Sequence, residues 1–394
     1  AKQKESMLLA LGTLSSSAED LRKLVAEKGA VPLIVEALKA PGAPLRAAGC
    51  MCLRSLSRSI HNLRTSIADA KVGGVLSRLL DDGNMVVKQE ASAVICNLVI
   101  DFSPVKSEIV ENGGIQALLS TALSSESSVL RLNALWALRN LTYLADPKTK
   151  ATILTGIGKP RMLELLRIQT AGPTVVEQAI GLLRNILHDS PEDIDMALDV
   201  LGYEELIEAV QGCITESSHR EVSTQALYAL SNLAAGANHH KGCLIKRADL
   251  MTCVLACMKG SDRGLAEKLA SVTFLSNLTS DPCPGNTIPS TVSPAANERL
   301  LKLRDFGFIE VLNELLINSA CDCETRRLVR KLLKRLDQNL PDCNMDNDPE
   351  DENNTESFQL VTWSMTGSES RSQEDPQTPL SMQEYEEDEQ ALHD

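Results

Sequence analysis

Five stretches of the chain close in the same way: EASAVICNLVID, LNALWALRNLTYL, EQAIGLLRNILHD, TQALYALSNLAAG and LASVTFLSNLTSD. They set Asn97, Asn140, Asn185, Asn232 and Asn277 at one shared position, in steps of 43, 45, 47 and 45 residues. Ser55 in LRAAGCMCLRSLSRS and Thr13 in SMLLALGTLSSS carry the series upstream by two steps of 42. A period this long belongs to stacked supersecondary units, none of which can bury its apolar side alone. That single regularity limits the possible folds more than length or composition does.

A second marker runs beside the first. A glycine opens a short apolar run in KGAVPLIVEAL (Gly29), VGGVLSRLL (Gly74), NGGIQALLSTAL (Gly114) and FGFIEVLNELL (Gly307). Glycine tolerates positive φ and suits the corner between two short helices. Each unit therefore reads as a short helix, a glycine corner, a medium helix, a loop and a long third helix, with no alternating strand pattern anywhere. Three helices per 42 to 47 residues predict an all-α, right-handed superhelical solenoid of the armadillo type. Ankyrin and tetratricopeptide arrays have periods near ~33–34 and are excluded, while a HEAT array shares the length but not the glycine corner with a terminal Asn.

The array is expected over residues 1–340. It opens in mid-repeat, which predicts the C-terminal portion of a longer array. A Pro-rich insertion, DPCPGNTIPSTVSPAAN, spans 281–297, and the cationic ETRRLVRKLLKRLDQ suits the end of an apolar stack. Residues 341–394 hold 16 acidic side chains and one basic one, Arg371, and are expected to be a disordered acidic tail. Thr378-Pro379 and the acid-flanked Ser368, Ser370 and Ser372 admit a phosphorylated or groove-occupying role for it, against the plainer reading of a solvated linker.

With that tail set aside, residues 1–340 carry 38 basic and 37 acidic side chains, a balance that argues against a nucleic-acid partner. No apolar run approaches the ~20 residues of a membrane span, so no membrane role is expected. Eleven cysteines include the close pairs Cys50/Cys52, Cys253/Cys257 and Cys321/Cys323, none with zinc spacing, and most lie in apolar helical runs. Buried free thiols, no metal, no cofactor, and a cytoplasmic and nuclear location are the expectations.

Third helices aligned side by side would floor a concave groove, with residues at helical spacing forming rows along it. The candidate groove residues are Asn97, Asn133, Trp136, Arg139, Asn140, Tyr143, Gln178, Arg184, Asn185, Gln225, Tyr228, Asn232 and Asn277. Asn and Gln carry both donor and acceptor, so a column of them would grip an extended peptide backbone, unless they satisfy groups within the stack. Trp136, Asn140 and Tyr143 are spaced 4 and 3 apart, the spacing of one helix face, and large rings there have the character of a binding hot spot. Arg139 and Arg184 would stand at the rim. No G-x-S-x-G, Walker A or H-E-x-x-H pattern is present, and His188 has no nucleophile beside it, so no enzymatic activity is expected.

The stretches PLRAAGCMCLRSLSRSIHNLRTS (44–66), CNLVIDFSPVKSEIVENGGIQALL (96–119), LRLNALWALRNLTY (130–143) and GLLRNIL (181–187), with the later FLSNL…ERLLKLRDFGFIEVL, resemble a particular family. They are similar to the armadillo-repeat-containing protein eight family, scaffold and adaptor subunits of the CTLH (GID) E3 ubiquitin ligases, over residues 1–338 and its C-terminal half. The resemblance implies a non-catalytic adaptor supporting ubiquitin-dependent degradation. It implies that the groove captures the C-terminal tail of a substrate-receptor subunit at Trp136, Asn140 and Tyr143, with Gln178 and Asn185 on the next repeat. Other surfaces would join the core scaffold subunits. The alternative is an importin-type or catenin-type adaptor binding extended peptides for nuclear transport or signalling. It is weakened because Trp-x3-Asn occurs once, with Tyr228-x3-Asn232 as a partial echo, and the body lacks a strong charge of either sign.

Overall fold

The computed structural model describes residues 2–58, 70–99, 104–188, 190–260, 263–281, 293–317 and 323–336. Residues 282–292 of the Pro-rich insertion and the whole acidic tail lie outside them, while the insertion's last residues, from Pro294, already belong to a helix. Among the described residues every regular element is a helix. Two compact units divide the chain after Arg161.

The first unit begins with α1 (Lys2–Ser17), followed by α2 (Glu19–Glu27), α3 (Ala30–Leu38) and α4 (Ala43–Leu56). Next come α5 (Val72–Leu79) and α6 (Met85–Leu98), then α7 (Pro104–Glu111), α8 (Gly114–Ser124) and α9 (Ser128–Thr142). The long third helices α1, α4, α6 and α9 pack one on the next, and the shorter helices cover them. α10 (Pro147–Leu165) is two helices meeting at Gly158, whose φ of 73° and ψ of 161° only glycine adopts readily, and Pro160 follows.

The second unit holds α11 (Ile168–Ala171) and α12 (Pro173–Ile186), then α13 (Pro191–Leu201), α14 (Tyr203–Thr215) and α15 (Arg220–Ala235). After these come α16 (Asn238–Leu244), α17 (Ala248–Lys259) and α18 (Leu265–Thr279), and finally α19 (Pro294–Asp305), α20 (Phe308–Ile317) and α21 (Cys323–Leu336). Here α12, α15, α18 and α21 repeat the side-by-side packing of third helices. No described helix is long and apolar enough to cross a membrane.

Local chemistry explains the helix starts. Asn84 opens α6 by accepting from the amides of Val86 and Val87 at 3.0 and 3.2 Å, and Ser127 opens α9 by accepting from Leu130. The glycine corners are partly as expected. Gly29 and Gly307 take positive φ at the entries to α3 and α20. In NGG, however, the left-handed residue is Gly113, while Gly114 sits inside α8 where a Cβ would lie 2.4 Å from Ile109 Cγ2. Before α5 the turn is made by Lys71 at φ 48°, and Gly74 lies within the helix against Asn112. The doubled glycine thus serves close packing as much as the corner.

Candidate partner-binding site

The file of marker asparagines is real, and it faces inward. Asn97 Nδ2 donates to Ser57 Oγ at 3.0 Å and to Arg54 O at 3.4 Å. Asn140 Nδ2 donates to Cys96 O at 3.0 Å, Asn232 Nδ2 to Arg184 O at 2.8 Å, and Asn277 Nδ2 to Ser231 O at 3.1 Å. The acceptor each time is the residue just before the preceding marker position. These carbonyls lie at or near the C-terminal turn of the neighbouring third helix, where backbone acceptors lack intrahelical donors. The amide ladder therefore satisfies helix ends and fixes the register of adjacent repeats. Asn133 does the same earlier in α9, donating to Ser92 Oγ at 3.0 Å.

The expectation that Asn97, Asn133, Asn140 and Asn277 grip a peptide from an open floor is thereby corrected. All four are buried, and their donors are committed to the stack. Gln178, Asn185 and Tyr228 are buried as well, and Asn185 Oδ1 accepts from Arg184 Nη2 at 3.0 Å. Arg139 and Arg184 are not rim residues either: both are under 10% exposed. Gln225 and Asn232 remain half-buried.

Two rings stay partly open at the C-terminal half of α9 and just past its end. Trp136 and Tyr143 are half-buried. At ~100° per residue they lie within ~20° of each other, whereas Asn133 and Asn140 lie ~40–60° to one side of Trp136, the side on which they reach α6. The neighbouring third helices add the half-buried Glu90 and Arg54, 3.4 Å apart, and the exposed Met51. Lys88, Gln89 and Arg131 on α6 and α9 are half-buried too, so the partly open residues of these helices mix aromatic, apolar and polar groups.

The sequence reading missed a set of lysines. Lys106 on α7 donates to the carbonyls of Asn140, at 3.4 Å, and Tyr143, at the C-terminus of α9. Lys241 on α16 donates to Ser280 O and Oγ, both at 2.9 Å, beyond the end of α18. Each places positive charge at the negative end of a helix dipole. Burial pushes the Lys241 ammonium down to about 7, helped by Arg299 nearby. A register signal existed: Lys106, Lys150 and Lys241 stand 34, 35 and 36 residues before Asn140, Asn185 and Asn277.

Two further clusters bear on chemistry. Asp195, His239 and His240 bring one ligand atom each within 4.8 Å of the others. Ala237 N–H donates to His240 Nδ1 at 3.1 Å, which leaves the ring proton on Nε2, 2.8 Å from Asp195 Oδ1. In this tautomer His240 Nε2 donates to Asp195, and His239 Nε2 also lies 3.3 Å from Asp195 Oδ1, so a hydrogen-bonded carboxylate joins the two rings. Cys50, Cys52, Cys96, Cys213, Cys253 and Cys257 are buried, and desolvation raises the Cys52, Cys96 and Cys213 thiols to about 12, far from a nucleophile's range. Cys243 and Cys323, in contrast to the expectation for most thiols, are exposed.

Repeating three-helix units, stacked third helices and inter-repeat amides define an armadillo-repeat α-solenoid protein. A family profile described as Armadillo/beta-catenin-like repeat matches residues 102–143. Among solved structures, an engineered protein superposes with a TM-score of 0.66 at 21% identity, covering 83% of this chain and 73% of its own, and a designed armadillo repeat protein superposes at 0.55 and 19%, covering 63% and 99%. Within the class, the chain resembles Armadillo repeat-containing protein 8. The protein of that name from Danio rerio is 35% identical over 77% of this chain and 42% of its own length. GID complex subunit 5 of Schizosaccharomyces pombe is 33% identical over 64% of this chain and 32% of its own. The chain therefore spans less than half the length of the curated relatives it matches.

Proposed function

We propose that the chain is a non-catalytic scaffold and adaptor of a CTLH/GID-type E3 ubiquitin ligase, supporting ubiquitin-dependent degradation. Its open face docks the C-terminal tail of the substrate-receptor subunit, and other surfaces meet the core scaffold subunits. The observation that carries this reading is the likeness to proteins named Armadillo repeat-containing protein 8 and GID complex subunit 5. The half-buried Trp136 and Tyr143 supply the docking chemistry: rigid rings with large contact area and a polar hydroxyl. A cytoplasmic and nuclear location is part of the proposal.

An importin-type role has support from a 30% identity to Importin subunit alpha-2 of Arabidopsis thaliana, over 42% of this chain. Two features disfavour it. The Asn140 amide is engaged with Cys96 O, and Glu90, the one acid on the third helices α4, α6 and α9, is paired with Arg54, which leaves no row of carboxylates for basic cargo.

Receptor capture from a purified complex tests the reading. Trp136→Ala with Tyr143→Ala should reduce capture at least ~10-fold, the loss of two aromatic anchors, while the helical circular dichroism signal is unchanged. Capture equal to wild type would overturn it. Asn140→Ala is unsuitable for this purpose, since it perturbs the stack.

A further inference from the structure

Among the described residues, one group of three metal-ligand side chains converges: Asp195 on α13 with His239 and His240 on α16. These two helices directly follow the third helices α12 and α15, so they open consecutive repeats. Adjacent residues on a helix point ~100° apart. Both rings nevertheless bring Nε2 to the same oxygen, Asp195 Oδ1, His240 at 2.8 Å and His239 at 3.3 Å, with ring centroids 3.8 Å apart.

The three side chains differ in freedom. His240 is buried, and a Cβ at Gly236 would lie 2.5 Å from its Nδ1 and 2.7 Å from Ile194 Cδ1, so that glycine makes the room in which the ring is set. Burial lowers the His240 pKa, and the neutral ring is the form that ligates. Asp195 and His239 are exposed and able to adjust around it. Glu192 and Asp199, one turn to either side of Asp195 and exposed as well, add negative potential for an approaching cation.

We propose that Asp195, His239 and His240 form a binding site for a divalent first-row metal ion of the zinc type, which ties the first helices of two consecutive repeats together. At metal–ligand distances of ~2.0–2.2 Å, tetrahedral ligand atoms stand ~3.3 Å apart. The His239–Asp195 separation is already 3.3 Å, and the 2.8 Å His240–Asp195 contact has only to open by ~0.5 Å through the exposed carboxylate. Two imidazoles with one carboxylate suit zinc, whereas magnesium and calcium take oxygen ligands. Water completes the coordination. Ligation at Nε2 moves the His240 proton to Nδ1, so Ala237 N–H gives up its bond to that nitrogen; Ala237 is half-buried, and water takes the freed amide.

Calorimetric titration of zinc into the full-length chain tests this, with excess magnesium present to occupy exposed carboxylates. His239→Ala and Asp195→Asn, both changes at exposed positions, should each weaken zinc binding at least ~10-fold. Cys243→Ser removes the exposed thiol one turn along α16 from His239 and should leave the affinity as it was. Nitrogen-15 spectra of the histidine rings give a second readout, in which zinc should shift the His240 proton from Nε2 to Nδ1. Zinc uptake that magnesium suppresses, affinity unchanged by either ligand variant, affinity lost in Cys243→Ser, or a His240 tautomer indifferent to saturating zinc would each overturn the proposal.

Discussion

Replacing Asn140 with Ala is the sharpest probe of the amide ladder. Asn140 is 2% exposed, and its Nδ2 lies 3.0 Å from Cys96 O in the last turn of α6. Truncation removes that donor and leaves a buried carbonyl without its partner across the repeat boundary, a cost of about 1–3 kcal/mol. The lost side-chain packing adds to this, so about 2–3 kcal/mol is expected in total. In a solenoid the loss falls on one nearest-neighbour interface, here α6 with α9. Thermal unfolding followed by helical circular dichroism should shift downward by roughly 5–10 °C, at ~2–4 °C per kcal/mol for units of this size. Asn140→Asp should cost more, because a carboxylate oxygen would then face a carbonyl oxygen with no proton between them. A stability loss within ~0.5 kcal/mol, the range of ordinary surface changes, combined with abolished receptor capture would refute the reasoning and return Asn140 to the groove.

Two other outcomes are expected. Lys241, held near 7 in the folded chain and near its ordinary value when unfolded, leaves the unfolded state with the extra proton between those limits. Stability should therefore rise from pH 7 toward 10, by up to ~1.4 kcal/mol per pH unit, and denaturant titrations of Lys241→Met should lack that slope. Gly114→Ala would bring a Cβ within 2.4 Å of Ile109 Cγ2 and 2.8 Å of Ile109 O, so its unfolding midpoint should fall by an amount equivalent to ~1–3 kcal/mol, against no measurable change for Gly83→Ala, which has open space around it.

The period and the helical class were legible because one interaction recurs. At four repeat boundaries a carbonyl near the end of the preceding third helix takes a donor from the next, and Asn at a fixed offset supplies it at Asn97, Asn140, Asn232 and Asn277, whereas Ser55 bonds back to Met51 O in its own helix. The direction of those amides was not legible. Trp136 and Asn140 differ by ~40° around the helix, less than the width of a groove face, so spacing alone places them together. The difference is made by the neighbour: α6 packs on α9 closely enough for the Asn140 amide to reach Cys96 O, while Trp136 four residues earlier stays half-buried. The buried lysines escaped notice for a related reason. A charged residue in a short first helix reads as surface until the third helix whose dipole it meets is in place.

That placement changes what the open face can recognise. A column of free carboxamides would hold any extended backbone, as a largely sequence-blind clamp. With the amides of Asn133 and Asn140 committed to α6, the half-buried rings of Trp136 and Tyr143 are the large groups left partly open at the C-terminal half of α9 and just past its end. Recognition must then come from side chains of the bound segment: apolar or aromatic groups to cover the rings, and a polar group to meet the Tyr143 hydroxyl. A segment chosen by its side chains can be told from competitors by what the rings reject as well as by what they hold.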